Sequence, residues 1–238
     1  MIEMRILMLH PHDIYSTTEP WTVRIREIAK EYRRLGHKVK LIYFPLPKKE
    51  RGKREKKLNG VKTVAFSRRK WSMFANMLRI LPYARWADVI HFQKCFANAS
   101  IPALFASISL RKPVHYDWDD DEYEIYNSEP PSKTYGGYIL MLEKILPKMV
   151  DTVSYSSQSI KRLAMRRGAV KQDLFEAHVG ANLARFNPDV NGDEIREIYG
   201  KDKKIVLYMG QLHGGQYAEL FLKSIPYIKK QSNDAVFL

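Results

Sequence analysis

Short apolar runs alternate with longer stretches of helical periodicity along this chain. Met4–Leu9 (MRILML) has the length of a buried strand, and from Pro20 to Leu35 the apolar residues Val23, Ile25, Ile28, Ala29, Tyr32 and Leu35 recur at helical spacing. Pro20 suits a first helical turn and Gly36 the C-terminal cap. Val39–Phe44 (VKLIYF) is the next strand, closed by Pro45 and Pro47. This order is a βαβ unit, with parallel strands and a right-handed crossover. The alternation continues past an Asn59-Gly60 turn. Strands are expected at Val61–Phe66, Ala87–Phe92, Val114–Tyr116, Thr152–Tyr155 and Glu176–Val179. Helices are expected at Trp71–Tyr83, Ala97–Leu110, Tyr138–Met149, where Pro147 must kink or end the helix, and Ser159–Arg167. Asn127–Gly137, with two prolines and two glycines, reads as a movable loop.

Regular alternation of this kind predicts an α/β, doubly wound, Rossmann-like domain over residues 1–188. A fresh start follows over 189–238. Asp193–Tyr199 reads as a helix, Lys204–Met209 as a strand, Tyr217–Lys230 as a helix with Pro226 inside it, and Ala235–Leu238 as a strand. One strand–helix–strand cannot close a core, so this second Rossmann-like domain is expected to be incomplete, exposing Leu207, Phe221 and Leu222 unless they are covered.

Composition narrows the class. The single cysteine, Cys95, excludes an internal disulfide framework and fits a reducing, cytoplasmic compartment. No apolar run reaches the length of a membrane span or a signal-peptide core. The net charge of +14 calls for an anionic partner. Lys48–Lys57 carries seven basic residues against two acidic, and Arg68-Arg69-Lys70 abuts Trp71, Met73 and Phe74. Basic residues beside aromatic ones suit an anionic membrane surface at the inner membrane face. Nucleic acid is disfavoured, because no helix-turn-helix, zinc or RNP-type motif accompanies the charge.

Against this basic background, Lys112–Glu124 (KPVHYDWDDDEYE) places six carboxylates within eight residues directly after the fifth expected strand. Open α/β sheets bind ligands at the carboxyl ends of their strands. A solvated acidic loop is the simpler alternative. Asp117-Trp118-Asp119 is also a D-x-D, which elsewhere holds a metal diphosphate, although three residues are a poor signal. His12 and Asp13, in the loop after the first strand, are expected to hydrogen-bond substrate, with a structural turn as the alternative. Lys94, just past another strand, is placed to meet a phosphate, with an ordinary surface lysine as the alternative. Gly210, Gly214 and Gly215 offer backbone N–H groups ahead of a helix, a phosphate cradle in outline.

Four stretches together resemble the retaining, nucleotide-sugar-dependent glycosyltransferases of GT-B fold, family 4: the opening βαβ through IAKEYRRLGHKVKLIYF; ADVIHFQK; MVDTVSYSSQSIKRLAMRRG with HVGANLARFNPD; and IVLYMGQLHGGQYAELFLKSIPYI. The resemblance implies transfer of a hexose from a nucleoside diphosphate sugar to a glycan or lipid-linked acceptor. It implies no catalytic metal and no cofactor beyond that co-substrate. It also puts Asp119 where relatives carry a histidine near the transferred sugar, as proton acceptor or stabiliser of the developing positive charge. Asp120, as a substrate contact, and Asp121 crowd Asp119 and raise its pKa, leaving Glu122 and Glu124 as surface charge. Two departures stand out. The first-strand loop HPHDIYSTTEP lacks the family's glycine pair, and Gln211 and Gln216 occupy the positions of its phosphate-binding Arg and Lys. A donor site built on Gly210, Gln211, Gly215 and Gln216 would bring amides and backbone but no charge to the diphosphate. The family's later glutamate pair would lie past Leu238, so a companion chain or longer parent is expected to supply the rest. The alternative is a non-catalytic acceptor- or membrane-binding module.

Overall fold

The computed structural model describes residues 2–16, 20–45, 57–58, 60–69, 71–128, 132–184, 186–210 and 216–238. The basic segment Lys48–Lys57 therefore falls outside the described residues except for the backbone of its last residue. The chain divides into two compact units, Met1–Gly180 and Ala181–Leu238.

In the first unit the chain runs through β1 (Arg5–His10), α1 (Val23–Arg34), β2 (Lys38–Tyr43), β3 (Lys57–Leu58), β4 (Val61–Ala65), α2 (Ser72–Trp86) and β5 (Val89–Gln93). It continues through α3 (Ala97–Leu110), β6 (Val114–Trp118), α4 (Glu122–Ser128), α5 (Lys133–Met149), β7 (Thr152–Tyr155), α6 (Gln158–Arg166) and β8 (Leu174–Glu176). The strands form one sheet in the order β3-β4-β2-β1-β5-β6-β7-β8, and every pairing is parallel except the edge pair β3–β4. The order reverses between β1 and β5. That makes their carboxyl ends the topological switch point, where sheets of this kind leave a crevice.

Alternation of side chains across the pleat splits the core into two layers. Leu7, Leu9, Ile90, Phe92, Tyr116 and Trp118 join Ile80, Ala103 and Leu142 from α2, α3 and α5, while Ile6, Met8, Val39 and Leu41 meet Ile25 and Ala29 of α1. Phe92, Tyr116 and Trp118 stack in series, with centroids 5.0 and 5.4 Å apart. Burying each such side chain contributes on the order of 1.5–3 kcal/mol and fixes where β6 stops.

The structure corrects several expected boundaries. β6 runs on to Trp118, because Trp118 is packed into the core rather than starting a loop. Residues 129–131 of the expected movable loop lie outside the described residues, and most of its described residues are helical. Residues 122–128 form α4, where Asp121 Oδ1 accepts the Glu124 N–H at 3.1 Å, and Gly136-Gly137 lie inside α5. Gly136 faces the Tyr126 ring, which a Cβ would meet in ordinary van der Waals contact at 3.4 Å, so the helix accommodates this glycine without requiring it. Pro147 sits in the last turn of α5, two residues before its end. β8 falls at Leu174–Glu176, earlier than the expected strand.

The second unit comprises α7 (Asp193–Tyr199), β9 (Lys204–Val206), α8 (Gln216–Gln231) and β10 (Ala235–Phe237), with β9 and β10 parallel. Phe221 is half-buried, covered by the rings of Tyr208 and Phe237, whereas Leu207 and Leu222 are exposed as expected for uncovered residues.

Candidate functional site

The carboxyl ends of β1, β5 and β6 converge at the switch point. His10 ends β1, Gln93 ends β5, and Asp119 follows the last residue of β6. Gln93 bridges the other two. Its Nε2 donates to Asp119 Oδ2 at 2.7 Å, and its Oε1 lies 2.9 Å from His10 Nδ1. An ionised carboxylate only accepts, so the amide nitrogen faces Asp119 and the amide oxygen takes the proton of His10 Nδ1.

The next residue is the hub of the site. Lys94 has φ 63°, a left-handed turn that breaks β5 and turns the side chain inward. Its Nζ lies 2.9 Å from Asp120 Oδ2 and 3.4 Å from Asp119 Oδ1, and it donates to Glu122 Oε1. The Lys94 side chain is 4% exposed. Burial pulls the Lys94 pKa down, but Asp119, Glu122 and Asp120 more than reverse this and hold it well above its ordinary value. Burial pushes the carboxyls of Asp119 and Glu122 up, against the pull of Lys94. One ammonium thus faces three carboxylates. Of these, the Asp119 side chain is 7% exposed and the Asp120 side chain 47%. Ligand atoms of all three lie within 4.8 Å of one another, the spacing of a cation site, and the Lys94 ammonium reaches each.

Two expectations are corrected here. Glu122 is no surface charge but a buried partner of Lys94, and Asp121 caps α4. The crowding of Asp119 comes chiefly from burial, then from Asp117 and Asp120. Nor do the two ends of the D-x-D share a ligand site. Asp117 is gripped by Arg24 of α1 through Nε (2.8 Å) and Nη2 (2.7 Å), and it accepts from Ser154 Oγ at 2.6 Å. Burial favours its neutral form, yet Arg24 and these hydrogen bonds hold its pKa below the usual value. Arg24 also donates to the carbonyls of Ala177 and His178, tying α1 to the segment after β8.

Behind the cluster, Glu143 of α5 accepts from the Glu122 N–H (2.9 Å) and from Arg167 Nη1 (2.7 Å). Burial raises its pKa from 4.5 to about 7, despite Arg167. A raised folded pKa means stability that is fully present below the unfolded value and lost as pH rises through the folded one. The urea-unfolding free energy of the wild type relative to Glu143→Gln is therefore expected to grow as pH falls from 7 to 4.5, by on the order of 3 kcal/mol at about 1.4 kcal/mol per unit. A pH-independent difference would contradict the assignment.

Other expected residues are placed as follows. The His12 ring meets Trp21, Phe96 and His10 at 5.2–5.3 Å, with Nδ1 3.3 Å from Arg68 Nη2, so it adjoins the site. Asp13 is buried in its own turn, accepting from the Tyr15 N–H at 3.1 Å. Gly210 is exposed; Gln211 and Gly215 lie outside the described residues, and only the backbone of Gln216, which opens α8, is described. Sequence reasoning missed Gln93, Arg24, Glu143 and Arg167. Gln93 carried a signal, its place at a strand end beside Lys94. The other three carried none.

Among the described residues no helix is long and apolar enough to cross a membrane. No curated protein matches the chain by sequence. Solved structures do match in fold. The Anabaena protein HepE in complex with UDP and glucose superposes with TM-score 0.65 at 13% identity, over 99% of this chain and 60% of that one. A glycosyltransferase from Rickettsia africae gives 0.62 at 15%, over 100% and 60%. A Listeria monocytogenes protein assigned as a UDP-N-acetylglucosamine 2-epimerase gives 0.56 at 12%, over 100% and 62%. The chain thus spans about 60% of the length of these neighbours, and its architecture is of GT-B type. A model of the glycosyl transferase 4-like domain matches residues 21–176, which take in Gln93, Lys94, Asp119, Asp120 and Glu122 together with Arg24, Glu143 and Arg167. This chain belongs to the glycosyl transferase 4-like domain family.

Proposed function

We propose that this polypeptide is the acceptor-side part of a retaining, family-4 hexosyltransferase that uses a nucleoside diphosphate sugar. The observation that carries the proposal is the Lys94-centred carboxylate cluster, built at the switch point of a sheet of this family. In the reaction the bond from the sugar C1 to the diphosphate oxygen breaks, a bond from C1 to the acceptor oxygen forms, and the acceptor hydroxyl gives up a proton. Asp120 is the carboxylate open to solvent, so it takes that proton. Asp119, enclosed by Gln93 and Lys94, acts behind it by charge and position. This moves the contacting role one residue along from Asp119, because a side chain so deeply buried has little surface to offer an acceptor. Lys94 is committed to the carboxylates rather than to a phosphate, and His12 lines the approach. The acceptor is a glycan or a lipid-linked sugar, and the donor-binding remainder comes from further polypeptide.

The test is turnover of labelled nucleoside diphosphate hexoses by the native protein isolated from its source, alongside this chain alone. Transfer of label to an acceptor is expected from the native protein. A native protein that binds such donors yet only epimerises them would overturn the proposal. A second reading, a non-catalytic binding module, is favoured by the neutral Gln211 and Gln216 at positions where a charge would steady the diphosphate. Donor turnover by the native protein would eliminate it.

A further inference from the structure

From Lys56 to Ala87 the chain has eight basic residues (Lys56, Lys57, Lys62, Arg68, Arg69, Lys70, Arg79 and Arg85) and no acidic one. Within this stretch α2 buries Asn76, Ile80 and Ala84 on one side, and Asn76 Nδ2 donates to the Ser67 carbonyl at 2.8 Å, pinning the start of the helix. The other side is apolar and open. Trp71 at the N-cap is 92% exposed, Phe74 69% and Leu78 66%, at the i, i+3, i+7 spacing of one helix face, and exposed Ala75 and Pro82 continue the stripe. A soluble helix turns such a stripe into its core, and scattered surface apolar residues do not line up this way. Exposed Arg69, Arg79 and Arg85 accompany it.

We infer that this face of α2 docks on an anionic phospholipid surface, with Trp71, Phe74 and Leu78 entering the headgroup boundary and the arginines meeting lipid phosphates. Charge complementarity selects this occupant. A stripe of aromatic and aliphatic residues accompanied by arginines, in a stretch with no acidic residue, fits a uniformly negative, laterally fluid surface. A protein surface would have to offer an apolar groove and acids in register. The inference gives the basic and aromatic segment around Arg68-Arg69-Lys70 and Trp71 a folded helix face as its membrane contact. It holds or fails independently of sugar transfer. It does have a geometric consequence for that reaction, since Arg68, in the loop leading into α2, contacts His12 of the candidate site.

The experiment is co-sedimentation of the chain with vesicles of phosphatidylcholine, with and without phosphatidylglycerol, at physiological salt. Binding to the phosphatidylglycerol vesicles is expected to exceed binding to phosphatidylcholine alone by about tenfold. The triple variant Trp71→Ser, Phe74→Ser, Leu78→Ser should lose it while keeping the wild-type circular dichroism, since all three side chains are exposed. Brominated lipid should quench tryptophan emission in the wild type, and much less in Trp71→Phe, which still binds. Equal binding by the triple variant, no binding by the wild type, or a stable dimer that shields Trp71 would each overturn the inference.

Discussion

Asparagine in place of Asp120 is expected to lower hexose transfer by about 10²–10⁴-fold, the usual contribution of a positioned proton acceptor. Asp120 is the one member of the cluster with substantial exposure, and its carboxylate is held by the Lys94 ammonium at 2.9 Å. An amide keeps the shape and one hydrogen bond but cannot take up a proton at neutral pH. The loss should fall on kcat, with donor affinity little changed, because the proton moves only as the new bond forms. Folding should survive, since the residue is half exposed and the loop is held from elsewhere: Trp118 Nε1 donates to the Asp120 carbonyl at 2.8 Å, and Ser156 Oγ donates to that of Asp119. Asparagine at Asp119 should cost less, about tenfold. Its amide oxygen can still accept from Gln93, and Lys94 retains Asp120 and Glu122.

The second large effect is on stability. Lys94→Met is expected to destabilise the first unit by about 3–5 kcal/mol at neutral pH, because it leaves Asp119 and Glu122 buried without their counter-ion. The pH dependence gives this prediction its edge. Without the ammonium the two carboxyls, already raised by burial, rise further in the folded state. Groups with a raised folded pKa contribute stability below their unfolded values and lose it as pH rises. The deficit should therefore be largest at neutral pH and above, shrink as pH falls through the variant's raised folded values, and level off at about pH 4, where the unfolded carboxyls are protonated too. Urea midpoints across this range measure it. A deficit that stays constant with pH would mean lost packing rather than a lost charge partner.

Most of the framework was legible in the sequence because buried parallel strands read as short apolar runs. The expected limits of Thr152–Tyr155, Ala97–Leu110 and Asp193–Tyr199 coincide with β7, α3 and α7. What escaped depended on contacts distant in sequence. α4 (EYEIYNS) is polar and short, and it is anchored where Glu143, 21 residues on, accepts the Glu122 N–H. The acidic cluster announced itself by composition, but the roles of its members did not. Asp117 and Asp119 look alike in sequence, yet one faces an arginine 93 residues away and the other a glutamine 26 residues away. Glu122 looked like surface charge because nothing local shows that the left-handed turn at Lys94 brings an ammonium onto it.

The most direct test of the central claim is a side-by-side measurement of kcat for hexose transfer in Asp120→Asn and Asp119→Asn of the native protein, with donor dissociation constants measured in parallel. The account predicts a loss at Asp120 at least tenfold larger than at Asp119, with donor affinity preserved in both. Full activity in Asp120→Asn, with loss confined to Asp119→Asn, would contradict it and return the reacting role to the buried carboxylate.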